Sequence, residues 1–275
     1  MKNRLTFARG MMNAFLWLVL IVMLLPFLWL ILSSFRPNMD LFSEPFGIPD
    51  TLNLNNYVAV LESHPMFLYL FNTFFVTIIA IVIDVAFAVG ASYGLMRHFR
   101  GKGLVAFLLS VGLFIPTNAF LVPYYIMINK MGLYDQLIGI ALVYAGVNLP
   151  ITVMVVRGYM ATLPTEVMES AQIDGANSLQ TLVRIVLPIS VPGLVTACVF
   201  VFIHCWNELL FANILNQSDS SRTLQVAIRS FLTTFEANYA YAFAAMVLAI
   251  LPTIVVYALL TNQIISGMTA GAVKG

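Results

Sequence analysis

Residues 65–96 read PMFLYLFNTFFVTIIAIVIDVAFAVGASYGLM, a run from Pro65 to Met96 with one formal charge, Asp84. A hydrocarbon core about 30 Å thick is crossed by about 20 helical residues rising about 1.5 Å each, so this run is long enough to span a bilayer. It lacks the alternation of a barrel strand, and a backbone in lipid must satisfy its own hydrogen bonds, so the run predicts a helix. Five further runs share that character, and the expected spans are residues 11–35, 67–96, 104–128, 136–156, 188–212 and 239–261. Composition agrees: 61% hydrophobic and 9% charged lies far from the roughly 25% charged residues of soluble domains. The fold class is an all-α integral membrane protein, with residues 1–275 as a single transmembrane domain.

The first run is too long for the core of a signal peptide and lacks a small-residue cleavage site, so it reads as a retained span. Cys198 and Cys205 stand seven residues apart on one expected helix, about 10 Å along its axis, which suits neither a disulfide nor a metal site. Basic residues near span ends are retained on the cytoplasmic side. With six spans and an inside amino terminus, Lys2, Arg4, Arg9, Arg97, Arg100, Lys102, Arg157, Arg184 and Lys274 fall inside, and Arg36, Lys130, Arg222 and Arg229 fall outside. This distribution places both termini in the cytoplasm. A net charge of +1 without a basic tract gives no reason to expect a nucleic-acid partner.

The outer segments 36–64 and 214–238 are large enough to present a docking surface but too small to fold as domains. Among the inner segments only 157–187 has room for structure of its own. Pro164 suits a first helical turn, Glu166 and Glu169 favour its dipole, and Asp174-Gly175 supplies a stop. Asn177 with Gln180 then resembles a capping box, and apolar residues continue at helical spacing until Pro188 interrupts. The expected element is helix, sharp glycine turn, helix, projecting as a rigid knob.

These residues carry a resemblance. Glu169-Ser170-Ala171, Gly175 four positions after Ala171, and Ile185-Val186-Leu187-Pro188 after nine more residues resemble the EAA loop of ABC importer permeases, whose pattern is Glu-Ala-Ala, three residues, Gly, nine residues, Ile-x-Leu-Pro. Ser170 stands where the first alanine is usual. Ile173-Asp174-Gly175-Ala176, Trp206-Asn207-Glu208 and the terminal Thr269-Ala270-Gly271-Ala272-Val273-Lys274-Gly275 resemble the carbohydrate, maltose-type branch. The resemblance implies a six-span type I permease bundle in a bacterial or archaeal inner membrane, importing a sugar or oligosaccharide.

It also implies a second permease as a heterodimer partner, two cytoplasmic ATPase subunits and an extracytoplasmic binding protein, with the bilayer around them. In that arrangement Glu166 and Glu169 charge the docking face, Ser170 leaves it shallow and Ala171 keeps the contact close. Asp174 and Gly175 make the turn, and Ile185, Leu187 and Pro188 tie the knob to the fifth span. ATP and magnesium would sit on the partner ATPase, since this chain has no Gly-x-x-x-x-Gly-Lys-Ser/Thr loop and is expected to bind no cofactor itself. The chain is expected to be a transporter subunit without catalytic residues.

A carboxylate at mid-bilayer costs about 2.5 to 3.5 kcal/mol on insertion scales and turns toward protein or water. Asp84 is therefore a candidate for the translocation path, or for pairing with an Asn, Tyr or basic group; Asn207 and Glu208 are further pathway candidates. His204 reads as packing, and Trp17, Trp29 and Trp206 as aromatics of the membrane interface. Ala86, Gly90 and Gly94 permit close helix approach, and Pro26, Pro116, Pro123, Pro150 and Pro252 are expected to bend helices. Two other classes match parts of the pattern. A serine hydrolase built on Gly90-Ala91-Ser92-Tyr93-Gly94 needs a strand-to-helix turn inside what reads as unbroken helix, and a proton-coupled carrier or channel would work through Asp84, His204 and Glu208. No His-Glu-x-x-His or other metal-ligand spacing occurs.

Overall fold

The computed structural model describes residues 2–233 and 237–272, with side chains placed except at 2–8, 233, 260 and 262–272. Every regular element among them is helical. In chain order these are α1 (Lys2–Ser33), α2 (Asn38–Ser43), α3 (Asn55–Ser63), α4 (Met66–Met96), α5 (Lys102–Gly112), a 3-10 turn (Thr117–Phe120) and α6 (Leu121–Lys130). There follow α7 (Leu137–Met160), α8 (Thr165–Ile173), α9 (Ser178–Thr181), a π-helical turn (Leu182–Val186), α10 (Leu187–Ile189) and α11 (Val191–Asn207). The series closes with α12 (Leu210–Leu215), α13 (Leu224–Thr233) and α14 (Tyr239–Ala272).

Four helices are long and apolar enough to cross a membrane alone, and six spans result if each of two bent pairs counts as one. The expected third span, 104–128, is not straight. Its halves, Lys102–Gly112 and Thr117–Lys130, meet at 101°. Pro116 accounts for the break, because it offers no amide and pushes the residue before it out of helical geometry. The expected fifth span, 188–212, also differs: α11 ends at Asn207 and a new short helix starts at Leu210. Helices run through Pro26, Pro150 and Pro252 without a break.

The chain divides into two compact units, residues 1–66 with 228–251 and residues 67–227 with 252–275. In the first, none of the most apolar stretch of α1 is buried. Polar side chains organise its loops: the Trp29 indole N–H donates to the Pro45 carbonyl at 2.8 Å, and Asn38 Oδ1 accepts the Tyr239 amide at 2.9 Å. Asn56 Nδ2 donates to the carbonyls of Ser34 and Arg36 at 2.8 and 2.9 Å. The Tyr57 hydroxyl lies 2.6 Å from Ser34 Oγ, so Tyr57, Asn56 and Asn38 of the outer segment are occupied in holding the loop.

The second unit carries the main core. Val76 and Ala80 of α4, Ile140 and Tyr144 of α7, Val201 and Cys205 of α11 and Phe211 of α12 form one buried cluster. The buried face of α4 recurs at Thr73, Val76, Thr77, Ala80, Asp84, Ala88, Ser92 and Leu95, the three-to-four residue interval of a helix stripe. Ala86, Gly90 and Gly94 lie off that stripe, and a Cβ at Gly90 or Gly94 would meet no atom within 4 Å. The close approach expected there is instead found at Gly193 of α11, where a Cβ would fall 2.4 Å from Tyr159 Cγ of α7. Trp206 is fully buried and stacks on Phe202 at 5.3 Å, so it is a core residue and not an interfacial one.

Candidate functional site

Residues 164–190 build the knob that their sequence predicts, with different details at its exit. Pro164 precedes α8 with φ −59° and ψ 132°, and Glu166 occupies the first turn, where a negative charge suits the helix dipole. At the other end Gly175 adopts φ +81°. The Ala176 amide donates to the Ala171 carbonyl at 2.9 Å and the Gly175 amide to the Gln172 carbonyl at 3.1 Å. This pair of bonds is the glycine-terminated helix stop, which satisfies carbonyls that would otherwise be orphaned. The four-residue spacing from Ala171 to Gly175 is the interval such a stop requires.

The second half begins with a complete capping box. Asn177 Oδ1 accepts the Gln180 amide and Gln180 Oε1 accepts the Asn177 amide, both at 2.9 Å. The Arg97 guanidinium, just past the end of α4, donates to Ser178 Oγ. Pro188 does not interrupt the helix as expected. A proline ring crowds the carbonyl four residues back and removes its hydrogen bond, and here the wider π turn over Leu182–Val186 absorbs that defect, so the helix continues to Ile189. The 77° bend falls at Ser190, where Pro192 cannot donate to the carbonyl of Pro188.

The inner side of the knob is anchored. Met168 of α8, Leu182 and Leu187 pack on a cluster of Val89 from α4, Val156 and Met160 from α7 and Ala197 from α11. A push on the knob therefore reaches three spans through side-chain packing. Glu166, Glu169, Ser170, Asp174 and Gly175 are exposed, and the Ser170 hydroxyl donates back to the Glu166 carbonyl at 2.8 Å. Ala171 is 5% exposed, so it lies beneath the surface and does not itself present a docking face. Ile185 and Leu187 are half-buried, and Pro188 is exposed.

Sequence reading missed Ile173 and Leu179. They flank the glycine turn and are 86% and 69% exposed, the most exposed large apolar side chains of the knob. Two large apolar residues on either side of a Gly turn in a polar segment were the available signal. The terminal motif lies largely beyond description: α14 reaches Ala272, side chains from 262 onward are not placed, and residues 273–275 lie outside the described residues.

The three pathway candidates, Asp84, Asn207 and Glu208, each have a hydrogen-bond partner within the chain. Asp84 is 1% exposed, and its Oδ2 accepts the Thr152 hydroxyl of α7 at 2.6 Å, while Oδ1 meets no donor. The pairing partner is a threonine and not the Asn, Tyr or basic group expected. Asn148 is buried close by and donates to the Tyr144 carbonyl at 2.8 Å. Glu208 caps a helix: Oε1 accepts the Phe211 amide at 2.9 Å, and Oε2 accepts the Ala212 amide at 3.1 Å and the Tyr144 hydroxyl at 2.7 Å. A carboxylate so placed satisfies the free amides that open α12. Asn207 is exposed and donates to the Ile203 carbonyl one turn back.

A second polar clasp lies between α6 and α7. Asp135 adopts φ 58°, a left-handed conformation that aspartate tolerates. Its Oδ1 accepts the amides of Gln217 and Ser218 at 2.8 and 3.1 Å and the Ser221 hydroxyl. From α4, Asn72 Nδ2 donates to the carbonyls of Ser220 and Arg222, and Thr73 Oγ1 accepts the Leu224 amide at 2.8 Å. Partial burial pushes the Asp135 carboxyl up, but the hydrogen bonds from Ser221, Ser218 and Gln217 together outweigh it and hold the group below its ordinary value.

Residues 85–269, more than half the chain, match the family described as binding-protein-dependent transport system inner membrane component. The chain is 31% identical, over 99% of its length and 100% of the relative's, to the diacetylchitobiose uptake system permease protein DasC of Streptomyces coelicolor. It is 30% identical to the trehalose/maltose transport system permease protein MalG of Thermococcus litoralis, covering 94% of each chain. Among solved structures, a chain of a bacterial ABC transporter involved in the import of the acidic polysaccharide alginate superposes with a TM-score of 0.78 at 24% identity, over 92% of this chain and 95% of that one. That likeness establishes the fold, an ABC importer permease bundle.

Proposed function

The chain belongs to the binding-protein-dependent transport system inner membrane component family, and from that premise we propose that it carries a sugar or oligosaccharide inward through an ATP-driven assembly. It is the membrane-spanning subunit of an ABC importer, a transporter component and not an enzyme. The carbohydrate reading is supported by relatives whose names specify diacetylchitobiose and trehalose or maltose. In this reading the partners are a second permease, two cytoplasmic ATPase subunits that hold ATP and magnesium, and an extracytoplasmic binding protein. Both termini and the knob face the cytoplasm, which puts nine of the chain's Lys and Arg residues inside.

One observation supports the coupling role above the others: a rigid knob with an exposed apolar tip, Ile173 and Leu179, whose base is packed into α4, α7 and α11. Closure of the ATPase pair would carry two such knobs together and swing the helices beneath them, a rigid-body route to alternating access. Glu166 and Glu169 on the exposed face of α8 would meet basic groups of the ATPase cleft. Asp84 and Glu208 are held by Thr152 and by the start of α12, and in this reading both serve the bundle's architecture.

The test is co-purification followed by reconstitution. The chain isolated in mild detergent should bring down a nucleotide-hydrolysing subunit and a second permease. Proteoliposomes of that assembly should take up sugar only with ATP and the binding protein. Gly175→Val forces a β-branched residue to φ +81°, which costs about 1–2 kcal/mol or more locally; it should leave insertion intact while weakening ATPase association. Sugar uptake by the chain alone under a proton gradient would overturn the reading.

A further inference from the structure

A groove of about 590 Å³ runs between α5 and α7, within the roughly 300–1,000 Å³ typical of small-molecule sites. Its walls include Leu109, Phe114, Pro150 and Met154, and Arg157 is the one formally charged residue that lines it. From Pro150 to Ala161 the groove follows twelve residues of α7 and its cap, about 16 Å at about 1.5 Å of rise per residue. That is about half of a hydrocarbon core of about 30 Å, the depth of a single leaflet. The 101° break after α5 turns the chain away at Phe114, which is left 84% exposed.

The polar end is distinct from the walls. Arg157 is exposed, and among the described residues its side chain has no hydrogen bond or ion pair; no carboxylate lines the groove. A Cβ at the neighbouring Gly158 would meet nothing within 4 Å, so the mouth around the guanidinium is open. Lys102 opens α5 one turn before Ala106 of the wall and does not itself line the groove. We propose that this groove holds an acyl chain of an anionic phospholipid whose phosphate pairs with Arg157. An apolar trough one leaflet deep that ends at an unpaired guanidinium matches the shape and charge of such an amphiphile, and guanidinium binds phosphate through paired hydrogen bonds. A protein helix laid in the same place would need to bring its own carboxylate to that end.

Native mass spectrometry of the purified full chain, given phosphatidylglycerol or phosphatidylcholine with identical acyl chains, tests this. Wild type should retain the anionic lipid about tenfold more tightly, the factor a charge-assisted hydrogen bond supplies. Arg157→Gln should reduce phosphatidylglycerol to the phosphatidylcholine level, Arg157→Lys should keep most of the preference, and Ala106→Phe should lower retention of both by filling the groove. Equal retention of the two lipids, or an unchanged preference in Arg157→Gln, would overturn the proposal. So would retention by the isolated chain that disappears once a permease partner is bound, because that result gives the groove to the partner.

Discussion

At the scale of single residues, two carboxylates, one inside a span and one outside it, are held by different kinds of donor and answer to different tests. Asp84 sits inside α4 with the Thr152 hydroxyl as its one donor among the described residues. Thr152→Val removes that donor and strands a buried polar group, a change of about 1–3 kcal/mol or more. Asp84→Asn keeps an atom able to bond Thr152. Thermal unfolding in detergent should therefore show Thr152→Val destabilised clearly more than Asp84→Asn; the reverse order would mean that the 2.6 Å bond contributes little. Asp135 lies outside the spans, and its carboxyl is held below its ordinary value by the bonds from the 217–221 segment. A lowered folded value means that its stabilising contribution is complete above the unfolded value of about 3.9 and fades as pH falls from there through the folded value. Stability followed by intrinsic fluorescence should carry an acid-side decline below about pH 4 that is reduced in Asp135→Asn, which keeps the left-handed turn but not the charge.

At the scale of elements, the knob was the most legible part of the chain, because its signals are local. Pro164, the Gly175 stop and the Asn177/Gln180 box each act within four residues, and each appears as bonded geometry. The exit was misread for a reason that is also local. Pro188 looks like a helix end by itself, but a π turn upstream accommodates it and Pro192 decides the break. What side chains face could not be read this way. Burial of Ala171 and exposure of Ile173 depend on where Met168 finds its pocket among α4, α7 and α11. Because Ile173 and Leu179 are exposed, Ile173→Asp with Leu179→Asp should fold and insert normally. ATP hydrolysis in the assembled transporter should nevertheless separate from uptake, with sugar import falling at least tenfold; unchanged import would remove the tip from the coupling surface.

At the scale of the whole molecule, six long apolar runs predicted an all-helical bundle with six crossings, and the described residues give six when each bent pair is taken as one span. Charge patterning makes a further prediction about sidedness. Single cysteines placed at exposed Arg100 and Ile173 should react with a membrane-impermeant reagent only in inside-out vesicles, and a cysteine at exposed Asn53 only in right-side-out ones. Labelling of Ile173Cys from outside would reverse the proposed orientation. The two clasps that close the loops, around Asp135 and around Glu208, were not readable beforehand. Each joins residues separated in sequence by a helix or more, or joins a side chain to amides freed by a helix start that carries no sequence signature of its own.

The π turn at Leu182–Val186 has a geometric consequence for the coupling tip. Such a turn accommodates one residue more than the α-helical register allows, and each residue of an α-helix advances the azimuth by about 100°. The turn winds each of its own residues by less than that, so the surplus is taken up locally and the helix on either side keeps its bearing. Removing one residue from Leu182–Val186 would restore an ordinary winding without re-aiming the tip, and would bring the Pro188 ring back against the carbonyl four residues before it.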